Sequence, residues 1–318
     1  MKAVVLYSGG LDSTLALSIV KEWGAQIYPL HISHKFLPAK TLPSIPGLKV
    51  IDMTNELIKI IRTPRFGYGK NLNPCIDCRI MMLKKARQYM KEVKADFIVT
   101  GEVLDQRPMS QRLDTLITIE REAGLEGLVV RPLSDGLLPP TIPLKNGLIK
   151  QEALLKIKGR SRKYELFLAK KKNITEFFSP GGGCLLCDPG FSKRLADIMR
   201  YQEKITADDI ELLKIGRHFR LSADAKLIVG RDEAENKRLE ELMGSKGMIL
   251  FFVPDTGSPN TLLIGDKKFL KTAAAITARY SDKNKEMNIE VTYKTKKLTR
   301  KIRVDPIRDE EIARWRVS

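Results

Sequence analysis

Long apolar runs and histidines are both scarce in this chain of 318 residues. No stretch approaches the roughly 18 apolar residues that a membrane-spanning helix needs, and Met1 and Lys2 lead directly into a strand-like segment instead of a signal peptide. The three histidines are scattered, and their spacing gives no support for a serine–histidine–acid hydrolase. We therefore expect a cytoplasmic protein that does not bind a membrane.

Cysteines are also few, and the four present form two pairs of C-x-x-C spacing. The pairs are Cys75 with Cys78 and Cys184 with Cys187. In a cytoplasmic chain this spacing indicates metal binding or redox chemistry before structural disulfides.

Acidic residues are too few to balance the basic ones. The chain has 56 Lys and Arg against 38 Asp and Glu, a formal net charge of +18 and a pI near 9.7. A surface rich in ion pairs would keep the two signs nearly equal, so the excess instead predicts a polyanionic partner such as nucleic acid. The excess is concentrated in residues 145–172 and in Lys294, Lys296, Lys297, Arg300, Lys301 and Arg303.

The loop "YSGGLDST", residues 7–14, joins a short apolar strand to a segment with helical spacing of apolar residues. Glycines there let the backbone approach a ligand, while hydroxyls and first-turn N–H groups can converge on an anion. The spacing matches neither a Walker loop nor G-x-G-x-x-G. An ordinary glycine-rich turn, with Asp12 as a first-turn acid, is the alternative. The predicted phosphate-binding residues are Ser8, Gly9, Gly10, Ser13 and Thr14.

Apolar runs and helical patterns alternate up to about residue 131, which predicts βαβ units and a mostly parallel sheet. Ligands of such sheets bind beyond the carboxyl ends of the strands, where the opening loop lies. A helix is predicted over residues 79–93. The predicted strands cover residues 2–7, 25–31, 48–53, 97–100 and 127–131.

The rest of the chain predicts two helices, over 192–203 and 208–215, and then a smaller α+β domain from Gly216 onward. In that domain we expect strands at 227–229 and 248–253, helices at 233–243 and 268–280, and a final hairpin in which Ile289, Val291 and Tyr293 alternate with polar residues. The predicted domains are residues 1–180, a cysteine loop and helical linker at 181–215, and residues 216–318.

The opening "SGGLDST" resembles the SGGxDS loop of the PP-loop ATP pyrophosphatase superfamily, and "TGEVLDQRPMSQ" with "VVRPL" resembles the tRNA 4-thiouridine synthetase branch. The resemblance implies an adenine nucleotide alpha hydrolase-like α/β fold. It also implies that the opening loop binds the pyrophosphate part of ATP and that Asp12 helps to place Mg²⁺. His31 could face the adenine, although a packed or surface histidine is the alternative. The implied pocket residues are Thr100, Gly101, Glu102, Gln106, Ser110 and Gln111.

The segment "NPCIDCR" resembles loops of tRNA sulfur transferases in this superfamily. The resemblance implies that Cys75, Cys78 and Cys184 are catalytic thiols and ligate a [4Fe–4S] cluster with one iron open to sulfide. A persulfide relay and a zinc site that includes Cys187 stay open as alternatives. Gly181–Gly183 would let the second cysteine loop fold over the site. Without a metal, a low-pKa thiol would need a cationic or helix-terminal setting, and Arg79 is the candidate for the cation.

The segments "GRHFRL", "LIVGRDEAENKRL" and "AAAITARYSDKNKEMNIEVTYKTKKLTRKI" resemble, in this order, the RNA-binding domain that closes the NFACT proteins. Together the resemblances imply ATP-dependent thiolation of a tRNA uridine, with sulfide or a persulfide carrier as the sulfur donor. 4-Thiouridine is favoured over 2-thiouridine. The alternatives are a small-molecule enzyme like 7-cyano-7-deazaguanine synthase with a zinc site, and an RNA-binding factor without catalysis.

Overall fold

The computed structural model describes residues 1–38, 42–178, 183–244 and 247–317. Gly181 and Gly182, which we expected to let a loop fold over the site, lie outside the described residues. The chain forms two compact units, Met1–Cys187 and Asp188–Ser318. The second unit includes residues 188–215, which we expected to belong to a linker before the domain that starts at Gly216.

The first unit contains a parallel five-stranded sheet in the order β3-β2-β1-β4-β5. This confirms the predicted α/β fold with a parallel sheet. Its strands are β1 (Lys2–Leu6), β2 (Gln26–Ser33), β3 (Lys49–Asp52), β4 (Phe97–Val99) and β5 (Val129–Val130).

The strand order reverses between β1 and β4. The chain runs from β1 outward to β2 and β3 on one side, and then returns to place β4 and β5 on the other. Open parallel sheets bind ligands at such a switch point, beyond the carboxyl ends of the strands. The loops that follow β1 and β4 are therefore neighbours at this edge.

The helices of the first unit cover the sheet. They are α1 (Leu11–Glu22), α2 (Thr54–Arg62), α3 (Cys75–Glu92), α4 (Leu113–Ala123), the short α5 (Ile142–Lys145) and α6 (Lys163–Lys171). Helix α3 starts at Cys75, four residues before the predicted start at Arg79, so the first cysteine pair lies in its first turn. Helix α6 lies in the basic stretch and was not predicted, because its lysines mask the buried Leu168 and Ala169.

The second unit contains an antiparallel six-stranded sheet in the order β11-β10-β8-β9-β7-β6. This confirms a separate, smaller domain that combines helices with an antiparallel sheet. Its elements are α7 (Pro189–Tyr201), α8 (Ala207–Leu213), β6 (Arg217–Ser222), β7 (Ala225–Val229), α9 (Glu233–Glu241), β8 (Met248–Phe252), β9 (Thr261–Gly265), α10 (Leu270–Arg279), β10 (Ile289–Lys294), β11 (Thr299–Val304) and α11 (Asp309–Ala313).

Sequence patterns located most of this unit but missed β6, α11 and β9, the last of which lies between β7 and β8 in the sheet. Its residues Thr261, Leu262 and Leu263 are fully buried. A short apolar run that is buried on both faces has no alternation to reveal it. The start of α8 was predicted correctly, because Thr206 and Asp209 form a capping box.

No helix in the described part of the chain is both long and apolar enough to cross a membrane.

Candidate active site

A cavity of about 520 Å³ opens in the first unit at the carboxyl ends of the parallel strands. This volume is within the range of small-molecule sites. Gly9, Thr14 and Cys187 are not among its lining residues, although we expected them at the site. The expected residues that do line it are Ser8, Gly10, Asp12, Ser13, His31, Cys75, Cys78, Thr100, Gly101, Glu102, Gln106, Ser110, Gln111 and Cys184.

Hydroxyl groups in the opening loop hydrogen-bond to one another and to the loop backbone. The Oγ atoms of Ser8 and Ser13 lie 3.1 Å apart, and Ser13 Oγ also donates to the Gly10 carbonyl at 2.9 Å. Thr14 Oγ1 donates to the same carbonyl at 3.0 Å. The two serine side chains reach the cavity, whereas the Thr14 hydroxyl stabilises the first turn of α1.

Two glycines of the site serve close packing. Gly9 has φ +73°, and a Cβ there would lie 2.6 Å from Phe178 Cε2, so Gly9 admits the Phe178 ring that lines the cavity. A Cβ on Gly101 would lie 2.5 Å from the carbonyl carbon of Asp12 and 2.6 Å from the Ser13 nitrogen. Only glycine at position 101 lets the loop after β4 lie against the start of α1.

Asp12 faces the cavity beside an arginine. Arg162 Nη2 lies 3.3 Å from Asp12 Oδ2. Burial raises the pKa of Asp12 although Arg162 opposes this shift. Asp12 Oδ1 has no hydrogen-bond partner among the described residues.

Three arginines make the cavity cationic: Arg79, Arg107 and Arg162 all line it. Burial, together with repulsion from Arg79 and Arg162, lowers the pKa of Arg107, which shows how close these charges lie. Guanidinium groups bind phosphate oxygens in a bidentate way, so the cluster suits a triphosphate. Sequence reasoning had assigned no site role to Arg107 or Arg162. The only signals were their positions inside the "QRPMSQ" segment and the basic stretch.

Three cysteine thiols face the same cavity from two separate segments. Cys75 and Cys78 lie in the first turn of α3, and Cys184 precedes a short 3₁₀ turn, Leu185–Cys187. Burial raises the pKa of Cys78 to about 11 and that of Cys184 to about 12. Desolvation therefore favours the neutral thiol over the thiolate at both residues.

Arg79 does not produce a low-pKa thiol. Burial raises the pKa of Cys75 and of Cys78, and it outweighs the opposing charge of Arg79 at both residues. Burial is therefore the larger of the two effects, and the role expected for Arg79 stays a prediction.

Cys187 is held by a neighbouring asparagine pair. Asn73 Nδ2 donates to Cys187 Sγ at 2.7 Å, and Asn71 Nδ2 donates to the Cys187 carbonyl at 2.7 Å. Asn73 also lines the cavity, although sequence reasoning gave it no role. These two hydrogen bonds connect the second cysteine segment to the loop that leads into α3.

The thiols match an iron–sulfur cluster in donor type and in their shared cavity, because thiolates are the usual ligands of clusters and of zinc. Within the described ranges, however, no group of three or more His, Cys, Asp or Glu side chains is arranged to hold a metal ion. The ligand set is thus present in one cavity but is not assembled around a common centre.

At the wall of the cavity, Glu102 belongs to a buried charge network. Its carboxylate accepts hydrogen bonds from Thr100 Oγ1 and Arg131 Nε, both at 3.1 Å, and lies 3.6 Å from Arg79 Nε. Arg131 Nη1 also donates to Glu120 at 2.5 Å. Burial opposes ionisation of Glu102, but Arg79 and Arg131 outweigh it and lower the pKa of Glu102.

Two further titratable groups complete the surroundings. His31 is buried, and its Nδ1 donates to the Tyr7 carbonyl at 2.8 Å, so this histidine is both packed and cavity-lining. Glu165 on α6 is fully buried, burial raises its pKa, and its carboxylate oxygens have no hydrogen-bond partner in the described part of the chain. Sequence reasoning had counted Glu165 only as a minor acid in a basic stretch.

Comparison with known proteins gives two family matches. Residues 1–135 match the family described as thiamine biosynthesis protein (ThiI), and residues 216–316 match the NFACT protein RNA binding domain. Both resemblances predicted from the sequence are confirmed over these residues.

Two curated relatives match over part of their length. A probable tRNA sulfurtransferase of Thermococcus kodakarensis is 30% identical over 149 residues, which cover 42% of this chain and 36% of the relative. A tRNA sulfurtransferase of Desulfurococcus amylolyticus is 27% identical over 146 residues, 42% of this chain and 29% of the relative. The chain thus spans about a third of the length of these relatives.

A solved structure described as a 4-thiouridine synthetase–RNA complex with bound ATP also matches. It is 19% identical, with a TM-score of 0.31, over 67% of this chain and 52% of that one.

Proposed function

We propose that this chain is a cytoplasmic, ATP-dependent tRNA sulfurtransferase that thiolates a uridine, with 4-thiouridine as the favoured product and 2-thiouridine as the alternative. One observation carries the proposal: ATP-loop residues such as Ser8 and Asp12 line the same cavity as three cysteine thiols. The names of the partial relatives, which are tRNA sulfurtransferases, support the same activity.

The first step activates the uridine. Its carbonyl oxygen attacks the α-phosphorus of ATP, a new P–O bond forms, and pyrophosphate leaves. Ser8 and Ser13 would donate hydrogen bonds to the departing phosphates, and Arg79, Arg107 and Arg162 would offset their charge. Asp12 would hold Mg²⁺, which neutralises phosphate charge when it is bound.

The second step replaces oxygen by sulfur. Sulfide attacks the activated carbon, the C–O bond breaks, and the oxygen leaves as part of AMP. Cys75, Cys78 and Cys184 would hold a [4Fe–4S] cluster, which when bound supplies an iron that can present sulfide. Zinc with Cys187 as a fourth ligand, or a persulfide relay, is the alternative use of these thiols.

RNA binding is assigned to two basic regions. The second unit carries the NFACT-type domain, whose β10–β11 hairpin exposes Lys296, Lys297, Arg300, Lys301 and Arg303. Residues 145–172 supply a second basic region in the first unit. Both regions would bind phosphates without reading the base sequence.

The proposal is tested by incubating the full chain without oxygen with ATP, Mg²⁺, sulfide and tRNA, and then identifying thiolated nucleosides after digestion. We expect 4-thiouridine, no product from Asp12→Asn or Cys184→Ser, and retained activity in Cys187→Ser if three thiols suffice. The absence of any thiolated base with the wild-type chain would refute the proposal.

A metal analysis separates the uses of the thiols. About four irons and four acid-labile sulfides per chain, lost in Cys75→Ser, are expected for a cluster with three or four thiolate ligands. One zinc without labile sulfide would replace the cluster by a zinc site. Zinc together with an absence of tRNA thiolation would favour the small-molecule alternative, 7-cyano-7-deazaguanine synthesis.

A further inference from the structure

Helix α6 exposes two aromatic rings to solvent. Tyr164 is 49% exposed and Phe167 is 58% exposed. Their rings are stacked, with centroids 6.1 Å apart and an interplanar angle of 27°. Exposed aromatic rings that already share an orientation offer a flat surface to another ring.

Basic residues flank these rings in the chain. Lys158, Arg160, Lys163, Lys170 and Lys171 are all exposed, and none of them forms an ion pair within the part of the chain that the structure describes. The acid of this segment, Glu165, is fully buried. The exposed face is therefore cationic as well as aromatic, which suits a phosphate backbone and a base and disfavours a basic protein partner.

Helix α6 is fixed beside the cavity. It begins directly after Arg162, which lines the cavity and contacts Asp12. At a rise of about 1.5 Å per residue, Tyr164 and Phe167 lie about 3 and 7.5 Å along the axis from Arg162. Leu168 and Ala169 on the opposite side pack into the same core as Leu11 and Leu15 of α1. The aromatic face therefore has a rigid position relative to the ATP loop.

We propose that Tyr164 and Phe167 stack on an unpaired nucleotide that flanks the target uridine. This inference rests on the proposed function, in that the ligand is the RNA substrate. An enzyme that acts on a base must take it out of its stack, which leaves a neighbouring base without a stacking partner. An aromatic pair on the helix that begins directly after Arg162 replaces that partner, and the exposed lysines of the same segment bind the adjacent phosphates.

The test uses the full chain and an RNA stem–loop with one 5-bromouridine in its unpaired loop. Ultraviolet crosslinking, followed by trypsin, should label the peptide 164–170, which lies between cleavage sites at Lys163 and Lys170. In parallel, Tyr164→Ala combined with Phe167→Ala should weaken stem–loop binding about tenfold, as expected for the loss of one stacked base. Binding of a blunt RNA duplex should change less than twofold.

Two controls exclude a general loss of structure. Leu166→Ala removes an exposed apolar side chain of the same helix and should leave RNA affinity unchanged. Tyr164→Phe combined with Phe167→Tyr keeps both rings and should keep the affinity. ATP binding by the double alanine variant should equal that of the wild type, because neither ring lines the cavity.

The outcomes separate this inference from the proposed function. The first outcome concerns a wild-type chain that thiolates tRNA. If the double alanine variant then binds the stem–loop as tightly as the wild type, and no crosslink falls in residues 164–170, stacking by Tyr164 and Phe167 is refuted. The proposed function is unaffected by that result. If the wild-type chain binds no RNA, both the proposed function and the stacking by Tyr164 and Phe167 are refuted.

Discussion

The two compact units place their charged side chains differently. Among the described residues, the first unit buries four of them, Glu102, Arg131, Asp135 and Glu165, close to its cavity and strand ends. Among its described residues the second unit buries only Lys226, and it places most of its hairpin lysines and arginines in solvent. Buried charge is costly unless it is paired, so the first unit is organised around preoriented polar groups. The second unit instead presents charge at its surface, where salt screens it and many phosphates can be bound.

The largest loss of stability is expected from Arg131→Met, which breaks the buried charge network of the first unit. Removing the guanidinium leaves Glu102 and Glu120 without their shared partner, and breaking a buried network of this kind costs about 3–5 kcal/mol. Denaturant unfolding measures the loss. The matched control is Arg65→Met, which removes an exposed pair with Glu122 and should cost less than about 1 kcal/mol. Equal losses of unfolding free energy in the two variants would show that burial does not determine the cost of breaking an ion pair.

The next largest effect is the dependence of the first unit's stability on pH. Burial raises the pKa of Asp135 to about 7, above its value of about 3.9 in an unfolded chain. The contribution of this group to stability is therefore fully present below about pH 4 and is lost as the pH rises towards 7, by up to about 4 kcal/mol. Asp135→Asn should flatten this part of the stability profile. An unchanged profile in thermal unfolding between pH 4 and 7 would contradict the assignment.

The second unit should respond to pH in the opposite direction. Burial lowers the pKa of Lys226 to about 8, and Asp197 opposes this shift. A lowered lysine pKa contributes stability above its unfolded value of about 10.4, and this stability is lost as the pH falls through about 8. Lys226→Met should therefore reduce the rise in stability between about pH 8 and 10, measured by denaturant unfolding. A variant profile parallel to that of the wild type would remove Lys226 as the cause.

A smaller effect is expected where the loop after β4 meets α1. Gly101→Ala places a methyl group against the Asp12 and Ser13 backbone, so the loop must shift at a cost of about 1–3 kcal/mol. Calorimetric ATP binding should weaken at least tenfold while RNA binding is retained. Gly244→Ala is the control in the second unit, because a Cβ there meets no atom closer than 4.0 Å. Intact ATP affinity in Gly101→Ala would show that this contact does not shape the site.

The smallest effect concerns the hairpin surface. Lys296→Gln combined with Lys297→Gln should lower the slope of log affinity for tRNA against log salt by about 0.7–0.9 for each phosphate that the hairpin no longer neutralises. The base preference should stay the same, because phosphate contacts carry no sequence information. Binding measured at several salt concentrations checks this, and an unchanged slope would exclude this part of the hairpin from the RNA surface.

Local sequence was sufficient for much of the fold. The strand, glycine-rich loop and helix at residues 2–22 were predicted because each conformation depends on residues that adjoin it in the chain, and the same holds for the capping box at Thr206. Local patterns were not sufficient at β9 and α6. A short strand buried on both faces and a helix rich in lysine both lack the periodic contrast that reveals an element.

The candidate site divides in the same way. Its opening loop and cysteine pairs were visible as local motifs, and the role expected of Asp12 came from the resemblance of "SGGLDST" to the SGGxDS loop. Which of them share a cavity was decided by the parallel order of the sheet, which brings the loops after β1 and β4 together.

Only the tertiary structure decided the long-range contacts. The pairing of Arg162 with Asp12, of Asn73 with Cys187 and of Arg131 with Glu102 joins residues that are 29 to 150 positions apart in the chain. It also decided the burial of the thiols, which raises the pKa of Cys78 and Cys184. The sequence by itself determined which chemical groups the protein has. Their protonation and partners depend on distance and desolvation, which arise only when separate segments pack together.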